Sequence, residues 1–357
     1  MKLYTSIIII GFFALLSLIS MIVKNNLIAN NIKKWIIITL ALIIVASFCE
    51  CLGIYLDGSN SKIKLIYIMI KFIELSIGPL IPFIFSKTFT NGKFRFVILI
   101  IVILNCVVHF LSIFFKITFY VDNQNVYHHG KFYFLYYLNI LISYAYLIYT
   151  ILKDNSKFQN INTISLCMIT LFVLFGTICQ IIDSSIKVVW LTVEIGTILL
   201  YIYYYNILLE TDGLTEVLNR RTFDCKIQKV KGLVGIIFFD INNFKSINDT
   251  YGHQFGDLCL KITAKVLKET YNKVGKCYRI GGDEFCVILN KNVDTIEEYN
   301  KKFIDKMKNE QSVDDRIPSI AIGYDVFNAD VTSVSNILKN ADDNMYFNKK
   351  EKSISKE

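Results

Sequence analysis

The chain has 357 residues, room for two domains, and 54% of them are hydrophobic, above the average for soluble globular proteins. Residues 1–208 hold 15 Lys/Arg and 7 Asp/Glu among long apolar runs, leaving 23 of each for residues 209–357. The formal net charge of +8 therefore resides in the first part, in short segments between apolar runs, which indicates membrane topology and argues against a nucleic-acid partner.

Seven stretches are long and apolar enough to cross a hydrocarbon core, at roughly 3–23, 35–56, 65–86, 96–115, 132–152, 162–182 and 187–208. The first has no small-residue cleavage site before Lys24 and is expected to be a retained span rather than a signal peptide. Trp35, Trp190, Tyr201 and Tyr203 to Tyr205 sit near span ends, where amphipathic rings anchor at the lipid interface, and membrane lipid is accordingly a partner.

A few residues are expensive inside these spans. Glu50 falls in the second, Lys71 and Glu74 in the third, His109 in the fourth and Glu194 in the seventh. Each ionised side chain costs about 2.5–3.5 kcal/mol at bilayer depth, so such groups face the bundle interior. Lys71 and Glu74, three apart on one helix, can neutralise each other, and Gly78, Pro79 and Pro82 are expected to bend the third span. Two readings stand: a polar pocket for a small-molecule ligand, or contacts that fix helix packing. His128-His129 reads as a solvated pair rather than a metal site. The nine cysteines show no metal spacing and read as small buried hydrophobes in a reducing compartment.

After Leu209 the pattern changes. A helix is expected over 214–230, opened by Asp212 and Thr215, then a buried strand Val234–Phe239 ending at Asp240. An amphipathic helix follows over 256–270, with Asp257 as a capping candidate. Strands 277–280 and 285–289 form a hairpin around Gly281, Gly282, Asp283 and Glu284. A helix at 294–308, a strand at 319–324 and a helix at 332–348 complete an order that contains the split βαβ, ferredoxin-like unit. The fold class is an α-helical transmembrane bundle, residues 1–208, followed by an α/β domain, residues 209–357.

Five ordered blocks carry a family resemblance: Asp212–Arg221, Asp240–Asp257, Arg279 with Gly281-Gly282-Asp283-Glu284-Phe285, Ala341-Asp342, and Met345–Lys349. Residues 209–350 resemble the GGDEF diguanylate cyclases with a cyclase/palm-type fold. The seven spans loosely resemble the membrane sensor modules that precede signalling domains. The resemblance implies condensation of two GTP into cyclic di-GMP by a homodimer, each domain holding one GTP. It implies Asp240, the Ile241 carbonyl and Asp283 as ligands of Mg²⁺, with Mn²⁺ as an alternative, and Glu284 alongside. Asp283 or Glu284 would take the proton of the attacking hydroxyl. It further implies Asn248 and Asp257 at the guanine edge and Lys245 and Lys349 on the triphosphate. Gly281 and Gly282, lacking side chains, let nucleotide lie against the hairpin backbone.

Three departures qualify the resemblance. Asn242 stands where the family has a second aspartate, Ser353 where it has an arginine, and Asn272 and Gly275 where the product-inhibition motif has Arg and Asp. The first two keep a second reading open, a degenerate domain that binds GTP as a membrane receptor without turnover. A GTP-using C-terminus in the cytoplasm, with seven spans of a multi-pass protein in the cell membrane, puts the N-terminus outside. The loops then inside hold eight Lys/Arg against six outside, in agreement.

Overall fold

The computed structural model describes residues 2–26, 28–89, 94–154, 163–183 and 186–331, together with Asn340 and Asp343. Apart from Asn340 and Asp343, the expected helix 332–348, with Ala341 and Asp342, lies outside the described residues, as do Lys349 and Ser353. The chain divides into two compact units, one ending at Tyr204 and the other beginning at Tyr205.

The first unit is helical. Its elements are α1 (Lys2–Lys24), α2 (Asn30–Leu56), α3 (Lys64–Ile77), α4 (Leu80–Phe85), α5 (Arg95–Phe115), α6 (Phe134–Asp154), α7 (Thr163–Ile182) and α8 (Val189–Glu210), the last of which runs on past Tyr204. Among the described residues seven helical stretches are long and apolar enough to cross a membrane, α3 and α4 together forming the third. That third stretch breaks at Gly78-Pro79, where Gly78 N–H still reaches the Glu74 carbonyl at 3.4 Å before proline interrupts the ladder. Between α5 and α6 the sequence reading expected only a loop. The structure forms a short hairpin there, β1 (Phe119–Val121) against β2 (Tyr127–His129).

The second unit is a five-stranded sheet covered on both faces. Its strands are β3 (Leu218–Asn219), β4 (Leu233–Ile241), β5 (Gly275–Arg279), β6 (Glu284–Leu289) and β7 (Ile320–Asn328), in the spatial order β3-β5-β6-β4-β7. β3 is parallel to β5, and the remaining neighbours are antiparallel. β4 and β5 flank β6, and β6 and β7 flank β4, so two split βαβ units interleave, as the element order implied. The helices are α9 (Arg220–Ile227), α10 (Phe244–Tyr251), α11 (His253–Tyr271) and α12 (Ile296–Val313).

β4 is buried from Val234 to Ile241, and its side chains alternate between two cores. Ile237, Phe239 and Ile241 pack with Leu260 and Leu267 of α11 and Phe303 of α12. Val234, Ile236 and Phe238 pack on the other face with Phe223 and Ile227 of α9.

The expected helix 214–230 is corrected by the structure. Residues Asp212 to Glu216 form a tight turn and Leu218-Asn219 pair with β5, so the helix begins only at Arg220. Its cap is Asn219, whose Oδ1 accepts from Thr222 N at 2.9 Å. Asp257 does not begin a helix either, because α11 starts at His253 after Gly252, whose φ of 82° suits glycine.

In the larger core Tyr271 Oη donates to the buried Asn300 Oδ1 at 2.8 Å, and Phe303 is fully buried against Phe239. Phe303→Ala should cost about 3–5 kcal/mol by opening a cavity. Tyr271→Phe should cost about 1–3 kcal/mol by leaving the Asn300 acceptor unsatisfied. Hydrogen exchange of β4 and α12 peptides measures both. Equal losses in the two variants would contradict this packing.

Candidate active site

The site is built at the end of β4 where its buried apolar run stops. Asp240 is 7% exposed and lies directly across from Glu284, the first residue of β6. By the two-residue period both carboxyls occupy the α9 face, continuing the rows of Ile236 and Phe238 and of Cys286 and Ile288. Two like charges directly opposite on a sheet are unfavourable without a cation. Asp283 is joined to the same place through the backbone, its carbonyl accepting from Ile241 N at 3.4 Å. The sheet thus brings Asp240, Ile241, Asp283 and Glu284 together, the four residues expected at one centre.

The turn between β5 and β6 closes through Ile280 N and Gly281 N, both donating to the Glu284 carbonyl. A Cβ at Gly281 would stand 3.1 Å from the Cβ of Glu284, whereas nothing lies within 4 Å of one at Gly282. Gly281 therefore makes room for the Glu284 side chain, and Gly282 leaves the turn open to solvent.

Two arginines hold this turn. Arg279 Nε and Nη2 donate to the Gly282 carbonyl at 3.2 and 2.7 Å, while its Nη1 donates to Asp212 Oδ1 at 3.1 Å. Arg220 Nη1 donates to the Ile280 carbonyl at 3.2 Å. The sequence reading placed Asp212 as a helix cap and gave Arg279 no role. Their shared position beside family blocks was the only available signal, because the partners are 67 residues apart. Burial alone would raise the Asp212 carboxyl, but hydrogen bonds from Thr215 and the Arg279 guanidinium outweigh it and hold it below the ordinary carboxylate range.

Past β4 the chain turns at Asn242-Asn243, with Asn243 in the left-handed region at φ 56°, and enters α10. Asn242 is tied at both ends to one residue: its N–H donates to the Ser319 carbonyl at 3.0 Å and its Nδ2 to Ser319 Oγ at 2.9 Å. Lys245 and Asn248 are three apart on α10, both on one face, with Lys245 exposed. Asn248 packs against α11 at Gly256, where a Cβ would lie 3.0 Å from Asn248 Cγ, and Asp257 is the exposed next residue. Asn248 thus meets α11 one residue before Asp257. Lys349 is not among the described residues.

Among the described residues no three His, Cys, Asp or Glu side chains are grouped closely enough to enclose a metal by themselves. A divalent ion here would need carbonyl, water or phosphate oxygens to complete its shell.

Residues 209–354 match the family described as diguanylate cyclase, GGDEF domain. Diguanylate cyclase A of Treponema denticola is 35% identical over 123 residues, 33% of each chain. Diguanylate cyclase DgcS of Shewanella oneidensis is 36% identical over 89 residues, 23% of this chain and 30% of that one. The cyclic di-GMP phosphodiesterase NbdA of Pseudomonas aeruginosa is 30% identical over 142 residues, 36% of this chain and 18% of that one. The chain thus spans a third or less of the length of these relatives. The crystallised GGDEF domain of DgcB from Caulobacter crescentus in complex with c-di-GMP is 23% identical with a TM-score of 0.36, covering 40% of this chain and 91% of that one.

The depressed Asp212 value carries a pH dependence. A carboxyl lowered on folding stabilises above its unfolded value, near 3.8, and that stability is lost as pH falls through the folded value. Wild type should therefore be more stable than Asp212→Asn above about pH 4, with the two acid-unfolding curves converging below it. A gap unchanged down to about pH 2 would show that the charge of Asp212 is not what holds Arg279.

Proposed function

We propose that this chain, whose residues 209–354 are a GGDEF domain, is a membrane-sited diguanylate cyclase that condenses two GTP into cyclic di-GMP with release of pyrophosphate. The observation that carries the reading is the placing of Asp240 opposite Glu284, with Asp283 bonded through its carbonyl to Ile241. Such a cluster gains from a cation, and phosphate oxygens would finish the shell that the protein leaves incomplete. Asp240, the Ile241 carbonyl and Asp283 would hold Mg²⁺ or Mn²⁺. The bound ion supplies charge neutralisation at the attacking and leaving oxygens.

Every other part of the reaction falls to side chains and backbone. Asp283 or Glu284 takes the proton as the 3′-oxygen of one nucleotide bonds to the α-phosphorus of the other and pyrophosphate leaves. Asn248 and Asp257 accept from the N1–H and amino group of guanine. Lys245, exposed on the same helix face as Asn248, meets the triphosphate, as does Lys349. With one GTP per domain, catalysis requires a homodimer about a two-fold axis. The membrane region, N-terminus outside and catalytic domain cytoplasmic, acts as the sensor. α8 supports a direct route, because it continues as one helix from Val189 to Glu210 with no coiled coil before the catalytic domain.

A GTP-binding receptor without turnover is the second reading, and Asn242 favours it. Its amide is bound to Ser319 where the resemblance implies a carboxylate.

The detergent-solubilised full chain should form cyclic di-GMP from GTP and Mg²⁺. Asp240→Ala and Asp283→Ala should each lower turnover at least about 100-fold with unchanged far-ultraviolet dichroism. Retention of substantial turnover in either variant refutes the metal assignment, and GTP binding without product in wild type selects the receptor reading.

Cyclic di-GMP should inhibit only weakly, in competition with GTP. Asn272, the C-cap of α11, and Gly275, where a Cβ would come 2.5 Å from the Ile288 carbonyl oxygen, stand where the inhibitory motif has its Arg and Asp, so the charged pair that would hold product away from the active site is missing. Calorimetry that finds product bound while GTP occupies its site would overturn this.

A further inference from the structure

The helical unit encloses a polar cavity of about 500 Å³, in the size range of small-molecule sites. Its charged lining is unequal. Glu50, Asp57 and Glu74 contribute three carboxyls against the two ammonium groups of Lys71 and Lys187. Lys71 and Glu74 are a closed pair at 2.8 Å, with side chains 12% and 10% exposed. Asp57 accepts from Tyr67 Oη at 3.1 Å and Tyr127 N at 2.9 Å.

Glu50 is only 2% exposed, and its partners are neutral, the Tyr4 hydroxyl and Gln180 Nε2 at 3.4 Å. Among the described residues no cation lies within ion-pair distance of it. A buried carboxyl of this kind is costly unless a positive charge reaches it.

The aromatic lining favours the same charge. Lys71 Nζ already lies 5.1 Å from the Tyr127 ring, and Tyr133 and Tyr137 line the same space. His129 is stacked on Tyr133 at 3.8 Å, and burial, with Lys187 and Lys71 nearby, lowers its affinity for a proton. His128 is engaged by Asp122 at 2.9 Å. Neither histidine therefore supplies the missing positive charge. A Cβ at Gly53 would stand 2.9 Å from Lys71 Cε, so α2 is pared back to let Lys71 run along this wall.

We propose that this cavity binds a small organic molecule through a protonated amine, which sits between the Glu50 carboxyl and the tyrosine rings. Asp57, Tyr127 and Lys187 lie in the connections between spans that the proposed orientation puts outside, so the ligand enters from that side. An amine and an amino acid share this ammonium group. They differ in what Lys187 does, repelling the first and attracting the carboxylate of the second.

Calorimetry on the full chain in nanodiscs, with n-butylammonium, γ-aminobutyrate and butyrate as probes, tests the site by binding alone, so its failure leaves the cyclase reading untouched. Butylammonium should bind and butyrate should not, and Glu50→Gln should weaken butylammonium at least about tenfold. Lys187→Gln, a change outside the spans, should tighten butylammonium, and if it weakens γ-aminobutyrate the natural ligand class is the amino acid. Absence of butylammonium binding overturns the proposal. So does affinity that neither falls in Glu50→Gln nor rises in Lys187→Gln, the latter deciding alone if the former does not fold.

Discussion

The second unit is organised by one strand. β4 is hydrogen-bonded on both edges, to β6 and β7, and buried on both faces from Val234 onward. A strand in that position must be apolar at every residue, because a carboxyl in mid-strand would be desolvated with no water to replace its hydration. Its first acidic side chain therefore falls where the sheet ends and the loops begin. The helices α11 and α12 and the smaller α9 all take their positions from its alternating faces, and the carboxyl cluster sits at its exit.

Placing carboxyls there also demands that the adjoining turn be held still. Arg279 does this with a planar fork that lysine lacks, gripping one carbonyl with two N–H groups while its third reaches Asp212. The same region ties down the end of α8. Asn219 Nδ2 donates to the Leu209 carbonyl at 2.8 Å, and Thr222 Oγ1 donates to that of Glu210 at 3.0 Å. Carbonyls that a helix end leaves unpaired are thus satisfied by side chains of β3 and α9.

In the helical unit the corresponding problem is how to keep charge in an apolar surround. Three different solutions appear. Lys71 and Glu74 neutralise each other one helical turn apart. His109 Nδ1 shares a hydrogen bond with Thr118 Oγ1 at 2.8 Å, which in turn bonds Ser112. Glu194 is accommodated by the absence of a side chain at Gly11, where a Cβ would lie 2.9 Å from its Cδ. Glu50 lines the large cavity with neutral hydrogen-bond partners, the Tyr4 hydroxyl and the Gln180 amide. The polar residues of the spans thus separate into those that make packing contacts away from the cavity, as His109 does, and those that line it, as Glu50, Lys71 and Glu74 do.

Sequence alone determined what depends on local composition. Seven apolar stretches, the buried strand at 234–239, the hairpin around Gly281-Gly282 and the amphipathic α11 and α12 follow from periodicity and turn chemistry, which act over a few residues. The tertiary structure decided what depends on partners distant in the chain. Leu218-Asn219 is a strand only because β5, 60 residues on, offers it a parallel edge, and without that edge its periodicity reads as helix. Asp212 is a latch rather than a cap because Arg279 reaches it. The β1–β2 hairpin and the cavity beneath Tyr127 exist because α2, α3, α7 and the loops meet there. Such pairings are set by the free energy of the packed whole, which buries these groups together, and no window of the sequence contains both halves of them.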